Sequence, residues 1–218
     1  MDRASQYFHL VWGDIMRSSS IRILLFGLAL CASWLLGGCA SREPIKQPML
    51  AYGERVTASQ YDEYWFAAAR QGRWDILESL LNAGYPVDRA NARGFTAVIL
   101  AAYNGQEETV RQLVRTGADA CLGDKSGNTA LMGALFKGEL AAAKALLDTP
   151  CDLNQENNSG ETALTFATLF GRYAFMPDLI AHGADPNHQG AHGNTPLRTA
   201  QNQGNRQAEN ALKRLGAD

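Results

Sequence analysis

The sequence predicts an all-α solenoid of about five stacked helix–turn–helix units joined by hairpin loops. Three observations predict it. The motif Gly-x-Thr recurs as Gly94-Phe95-Thr96, Gly127-Asn128-Thr129, Gly160-Glu161-Thr162 and Gly193-Asn194-Thr195, each 33 residues after the last. Ala101, Ala134, Ala167 and Ala200 keep the same step, as do Gly72, Gly105, Gly138, Gly171 and Gly204. A third column reads Gly84, Gly117, Pro150, Gly183 and Gly216. Columns that stay in register over five copies mark a repeat whose units bury their faces only by stacking.

The chain begins differently. From Ile21 to Leu36 it is apolar except for Arg22 and Ser33, with Arg17 and Arg22 at its front edge. A basic start, a short apolar core and small residues after it describe a secretory signal. The core is shorter than the roughly 20 apolar residues that span a bilayer. Leu36-Gly37-Gly38-Cys39 resembles a bacterial lipobox, which implies a signal over 1–38 and acylation of Cys39. Such acylation exceeds what stable anchoring needs. Ala40 and Ser41, with no Asp after the Cys, lean towards the outer membrane. Residues 1–15 fit a signal poorly, and a start at Met16 gives a conventional one. Residues 39–57 carry two prolines and mixed charge without an apolar period, and read as a tether.

The repeat domain is expected over 58–218, with units near 58–90, 91–123, 124–156, 157–189 and 190–218. The first unit lacks Gly-x-Thr and carries Tyr64 and Trp65, an atypical cap. In the others the Thr can cap a short Ala-rich helix, and Gly105, Gly138, Gly171 and Gly204 can end it in a left-handed turn. Leu80-Leu81, Leu113-Val114, Leu146-Leu147 and Leu179-Ile180 mark the core face of a second helix. Pro177 shortens or kinks the fourth unit's second helix unless it falls in the first turn. The last helix, NRQAENALKRLGAD, is largely polar, as a terminal cap requires.

These residues resemble the ankyrin repeat. Thr195-Pro196-Leu197 matches the family's Thr-Pro-Leu, while Ala97, Ala130 and Ala163 replace the Pro elsewhere. Ile99, Met132, Thr165 and Arg198 stand where the family has His, so its inter-repeat hydrogen bonds are expected to be missing. The resemblance implies a protein-binding surface on hairpin tips and the concave face of the first helices. The exposed pairs there are Arg70-Gln71, Tyr103-Asn104, Phe136-Lys137, Leu169-Phe170 and Asn202-Gln203. Tyr103, Phe136, Leu169 and Phe170 are expected to form an apolar stripe, and such patches mark interaction sites. Arg93, Phe95, Lys125, Asn128, Asn158, Glu161 and His192 are the expected tip contacts.

Other chemistry is weakly signalled. The net charge of −2 points neither to nucleic acid nor to an anionic membrane surface. Neither GxSxG nor HExxH occurs, and Glu139 stands where a phosphate loop needs Lys. His182, His188 and His192 with Asp185 are candidate metal ligands, but their hairpin setting favours solvent exposure. Cys121 and Cys151 could form a disulfide after export. Cys151 occupies the column of Ala118 and Ala184, however, and a buried free thiol is the expectation.

The sequence thus predicts a monomeric, non-enzymatic lipoprotein without cofactor, anchored on the periplasmic side and binding a protein. An immunity protein against a delivered toxin and a helper of a periplasmic enzyme are narrower versions. A metal-binding or hydrolytic protein using the His182–His192 cluster is the alternative of another class.

Overall fold

The computed structural model describes residues 58–191 and 193–218. The expected signal, Cys39, the tether and His192 lie outside the described residues. Ten α-helices and one 3₁₀ turn are present among the described residues, with no strand among them. They pair as α1 (Ala58–Gln71) with α2 (Trp74–Asn82), α3 (Ala97–Tyr103) with α4 (Glu107–Arg115) and α5 (Ala130–Lys137) with α6 (Leu140–Leu147). The last pairs are α7 (Ala163–Leu169) with α8 (Met176–Ala181), and α9 (Pro196–Asn202) with α10 (Arg206–Arg214). The first helices of the pairs touch in succession, and each carries its own second helix behind it. This is an all-α repeat solenoid.

The local chemistry explains each inner helix. Thr96, Thr129, Thr162 and Thr195 are the N-caps of α3, α5, α7 and α9, and each Oγ1 accepts the backbone N–H three residues on. Gly138 ends α5 at φ 83°, a left-handed value that costs an L-residue about 1–2 kcal/mol. Small side chains then allow close stacking. Six of the seven α3 residues, Ala97 to Ala102, are buried. Behind them Leu113, Leu146, Leu179 and Leu212 are at most 2% exposed, and each contributes about 2 kcal/mol by burial. One apolar cluster runs from Trp65 to Ala217.

Pro177 falls in the first turn of α8, where its missing N–H costs no helical bond. The helix is only 6 residues long, and the 3₁₀ turn Tyr173–Phe175 precedes it. The first-turn placement that the sequence allowed for is therefore the one realised.

The family's inter-repeat histidines are absent, and other groups supply the bonds between units. Lys125 N–H donates to Arg93 O, and Asn158 N–H to Ser126 O, which joins consecutive hairpins. The residue after the helix-ending Gly reaches back one unit. Gln106 Nε2 donates to Arg70 O at 3.2 Å. Arg172 donates to Leu135 O at 2.9 Å and Phe136 O at 3.0 Å, at the C-terminal end of α5. On the loops, Asn154 and Asn187 side chains accept from Asp185 N–H and Asp218 N–H and donate to Gly183 O and Gly216 O. Hydrogen bonds between units thus come from these groups and not from histidines at 99, 132, 165 and 198.

The expectation of a buried free thiol at Cys151 is corrected. Cys121 and Cys151 are half-buried and joined as a disulfide, with Cα atoms 5.3 Å apart. Stacking brings the loop after α4 against the loop after α6, although 30 residues separate the two cysteines.

Candidate functional site

Three of the hairpins are each built around one side chain. Asn91 Oδ1 accepts from Arg93 N–H and Phe95 N–H. Asp124 Oδ1 accepts from Ser126 N–H and Asn128 N–H, and Asn157 Oδ1 from Ser159 N–H and Glu161 N–H. An Asx side chain that fills its own turn in this way fixes the loop. Asn157 Nδ2 then links Asn128 Oδ1 at 2.8 Å and Glu161 Oε2 at 3.0 Å. In the last unit Gly190 takes this position and supplies no side chain.

Between these hairpins and the inner helices lies a groove of about 970 Å³. Its centre is aromatic. Tyr103 and Phe136 stack with ring centroids 6.0 Å apart and planes 16° from parallel. Phe136 meets Phe170 edge to face at 4.8 Å. Phe166 backs Phe170 at 5.6 Å. Tyr103 is 38% and Phe136 40% exposed, so the line is open to solvent while anchored at its Phe166 end. Lys137 Nζ stands 5.3 Å from the Tyr103 ring centroid, within cation–π range.

The sequence-predicted residues divide. Tyr103, Phe136, Phe170, Phe95, Arg93, Asn128 and Glu161 line this groove together. Leu169 does not. It lines a smaller depression of about 250 Å³ with Thr165, Thr199 and Asn202. Leu169 holds the repeat position of Tyr103 and Phe136, but its neighbour Phe170, one helical turn after Phe166, carries the aromatic line instead. Lys125 is exposed beside the groove without lining it. Asn158 is used internally, its Nδ2 donating to Lys125 O at 2.9 Å. The sequence reading placed Arg70 among the exposed concave-face pairs but missed Phe166 and the Asx residues. The Phe four positions before Phe170 and the Asn91–Asp124–Asn157 column were the signals that could have found them.

Of the candidate metal ligands, His182 and His188 are engaged by the protein itself. His182 Nδ1 lies 2.7 Å from Asp178 O. His188 Nε2 meets Glu156 Oε1 at 2.9 Å, and Ala191 N–H donates to the other oxygen of Glu156. Among the described residues no group of three potential ligands converges.

At the other end, Asp62 accepts from Arg89 and from Tyr85 Oη at 2.6 Å. Arg89, followed by Tyr85, holds the Asp62 carboxyl below the ordinary 3.8. Burial, aided by Asp62, pushes the Tyr85 phenol up. This network clamps the loop after α2 onto α1 and is separate from the groove.

Residues 65–157 match the family model for ankyrin repeats, in 3 copies. The caps, glycines and helix pairs continue through α10 beyond that match. No curated protein matches the chain.

Proposed function

Since residues 65–157 are ankyrin repeats, a fold that serves protein interaction, we propose that the chain is a periplasmic lipoprotein that holds a protein partner in this groove and catalyses no reaction. The observation that carries the reading is the open aromatic line Tyr103–Phe136–Phe170 inside the groove. Exposed aromatic rings held rigid at the centre of a depression are what anchor residues of interfaces look like before binding. The arrangement offers no nucleophile with a paired base, and the amides around it are spent on the hairpins.

The anchoring half rests on Cys39 and its lipobox resemblance. The Cys121–Cys151 disulfide supports export, because such bonds persist in oxidising compartments and are rare in the cytosol. Lipidation of Cys39 and an outer-membrane position complete the proposal, and the partner binds a monomer.

A photo-crosslinker at position 136 in living cells tests the binding half, with Tyr103→Asp in parallel. Capture of one protein that the Tyr103→Asp variant loses while staying folded supports the reading and identifies the role. Capture that ignores Tyr103→Asp would mean that the rings only pack against one another. For the anchoring half, Cys39→Ser is expected to move the chain from the membrane fraction, and unchanged fractionation would overturn lipid attachment.

A further inference from the structure

The free charges of the groove specify what kind of segment it takes. Arg70 and Arg93 line it, both are exposed, and neither guanidinium pairs with a carboxylate among the described residues. On α4, by contrast, Arg111 and Arg115 are paired with Glu107 and Glu108. Lys137 adds a third cation over the Tyr103 ring, and exposed Lys125 lies beside the rim. The lining carboxylates stand further along the chain, on the hairpins of the third and fourth units, and both accept hydrogen bonds from within the protein. Asp124 accepts from Ser126 N–H and Asn128 N–H, and Glu161 from Asn157 Nδ2. Glu139 approaches Gly105 and does not line the groove. The groove is therefore polarised, with unpaired cations at the end of its first two units, aromatic rings in the middle and the two carboxylates, still charged, further along.

We propose that the groove takes an extended acidic protein segment in which carboxylates adjoin an aromatic or large aliphatic side chain. Its acidic end lies over Arg70 and Arg93, and its apolar side chain rests on the Tyr103–Phe136–Phe170 line. The proposal rests on the protein-binding reading and adds the chemistry and polarity of the partner. Guanidinium groups favour carboxylates because two parallel N–H donors match two oxygens. The ring steps of 6.0 and 4.8 Å are spanned by about three extended residues at ~3.3 Å each. A basic segment would place like charge against Arg70, Arg93 and Lys137, and such juxtaposition discriminates between partners.

The test is selection of random displayed peptides, about 10 residues long, on the immobilised full chain with its disulfide intact. The strongest sequences are then synthesised with a fluorescent label and titrated. Sequences rich in Asp and Glu beside Trp, Phe or Leu are expected. Their affinity should fall about tenfold in Phe136→Ser and about tenfold in Arg70→Glu/Arg93→Glu, and should weaken with added salt. Phe136 and both arginines are exposed, and an unchanged thermal midpoint verifies that each variant is folded. Peptides that need Phe136 but are not acidic, or that bind the arginine variant as well, overturn the acidic-segment proposal and leave the groove reading standing. Selection of no peptide that depends on Phe136 overturns the groove reading itself.

Discussion

Asp62 shows how one carboxylate ties the first loop to the first helix. It accepts from Arg89 and Tyr85, and its folded-state ionisation lies below the ordinary 3.8. A depressed carboxylate contributes stability above its unfolded value and loses it as pH falls through the folded one. The stability gap between the natural chain and Asp62→Asn should therefore be full at neutral pH and close below about pH 4. Urea unfolding across that range measures it, and a gap that is constant with pH would refute the role. The caps make a second prediction at this scale. Thr129→Ala removes the acceptor for Met132 N–H and should cost about 1 kcal/mol. An exposed control such as Lys144→Ala should change little by the same measurement.

At the scale of elements, the contacts between units decide how the inner helices stack. Arg172 covers the last carbonyls of α5 from the following unit. A cation at a helix C-terminus is favoured by the helix dipole as well as by its hydrogen bonds. Arg172→Met keeps much of the aliphatic stem and loses both bonds, so about 1.5–3 kcal/mol should disappear from the unfolding free energy. The hairpins depend on glycine in the same way. Gly94 has φ +82°, and a Cβ there would lie 2.7 Å from Lys125 N, the donor to Arg93 O. Gly94→Ala should cost more than the about 1–2 kcal/mol of a left-handed residue alone, because the bond between hairpins must also shift. Amide exchange of Lys125 should then quicken, and unchanged protection would show that the hairpin absorbs the methyl group.

For the repeat domain as a whole, the disulfide is the covalent tie between stacked units. It closes a separation of 30 residues, for which the chain-entropy account gives a stabilisation of up to about 3.5 kcal/mol. Cys121→Ala/Cys151→Ala should unfold at correspondingly lower urea concentration. A repeat array can also lose cooperativity when one junction weakens. Two transitions in the variant, against one in the natural chain, would place the break between the second and third units. Thiol titration of the unfolded natural chain should find Cys121 and Cys151 unreactive before reduction, and free thiols there would contradict the bond.

The groove of this protein was legible in the sequence as two columns of residues, and only partly. Tyr103 and Phe136 follow from the periodicity because each ends an inner helix at the same phase. By the 33-residue step Leu169 falls in the column of Tyr103 and Phe136, and Phe170 in that of Asn104 and Lys137. The structure chose Phe170, since Phe166 one turn earlier supports its ring. The free arginines were half visible. Arg93 sits at a predicted tip and Arg70 in a predicted concave-face pair, and they share one groove because the solenoid lays the end of α1 beside the hairpin of the second unit.

What the sequence by itself determined lies within one unit: the Thr caps, the glycine turns, the buried leucines and the 33-residue period. Those features depend on residues a few positions apart, and local stereochemistry repeats wherever the motif does. What only the tertiary structure decided lies between units. It paired Cys121 with Cys151 and replaced the missing histidine bonds with Gln106, Arg172 and the Asn loops. It also separated Leu169 from the aromatic line. Those outcomes depend on the rotation and offset of one unit on the next, and packing across the stack sets that offset where no single motif encodes it.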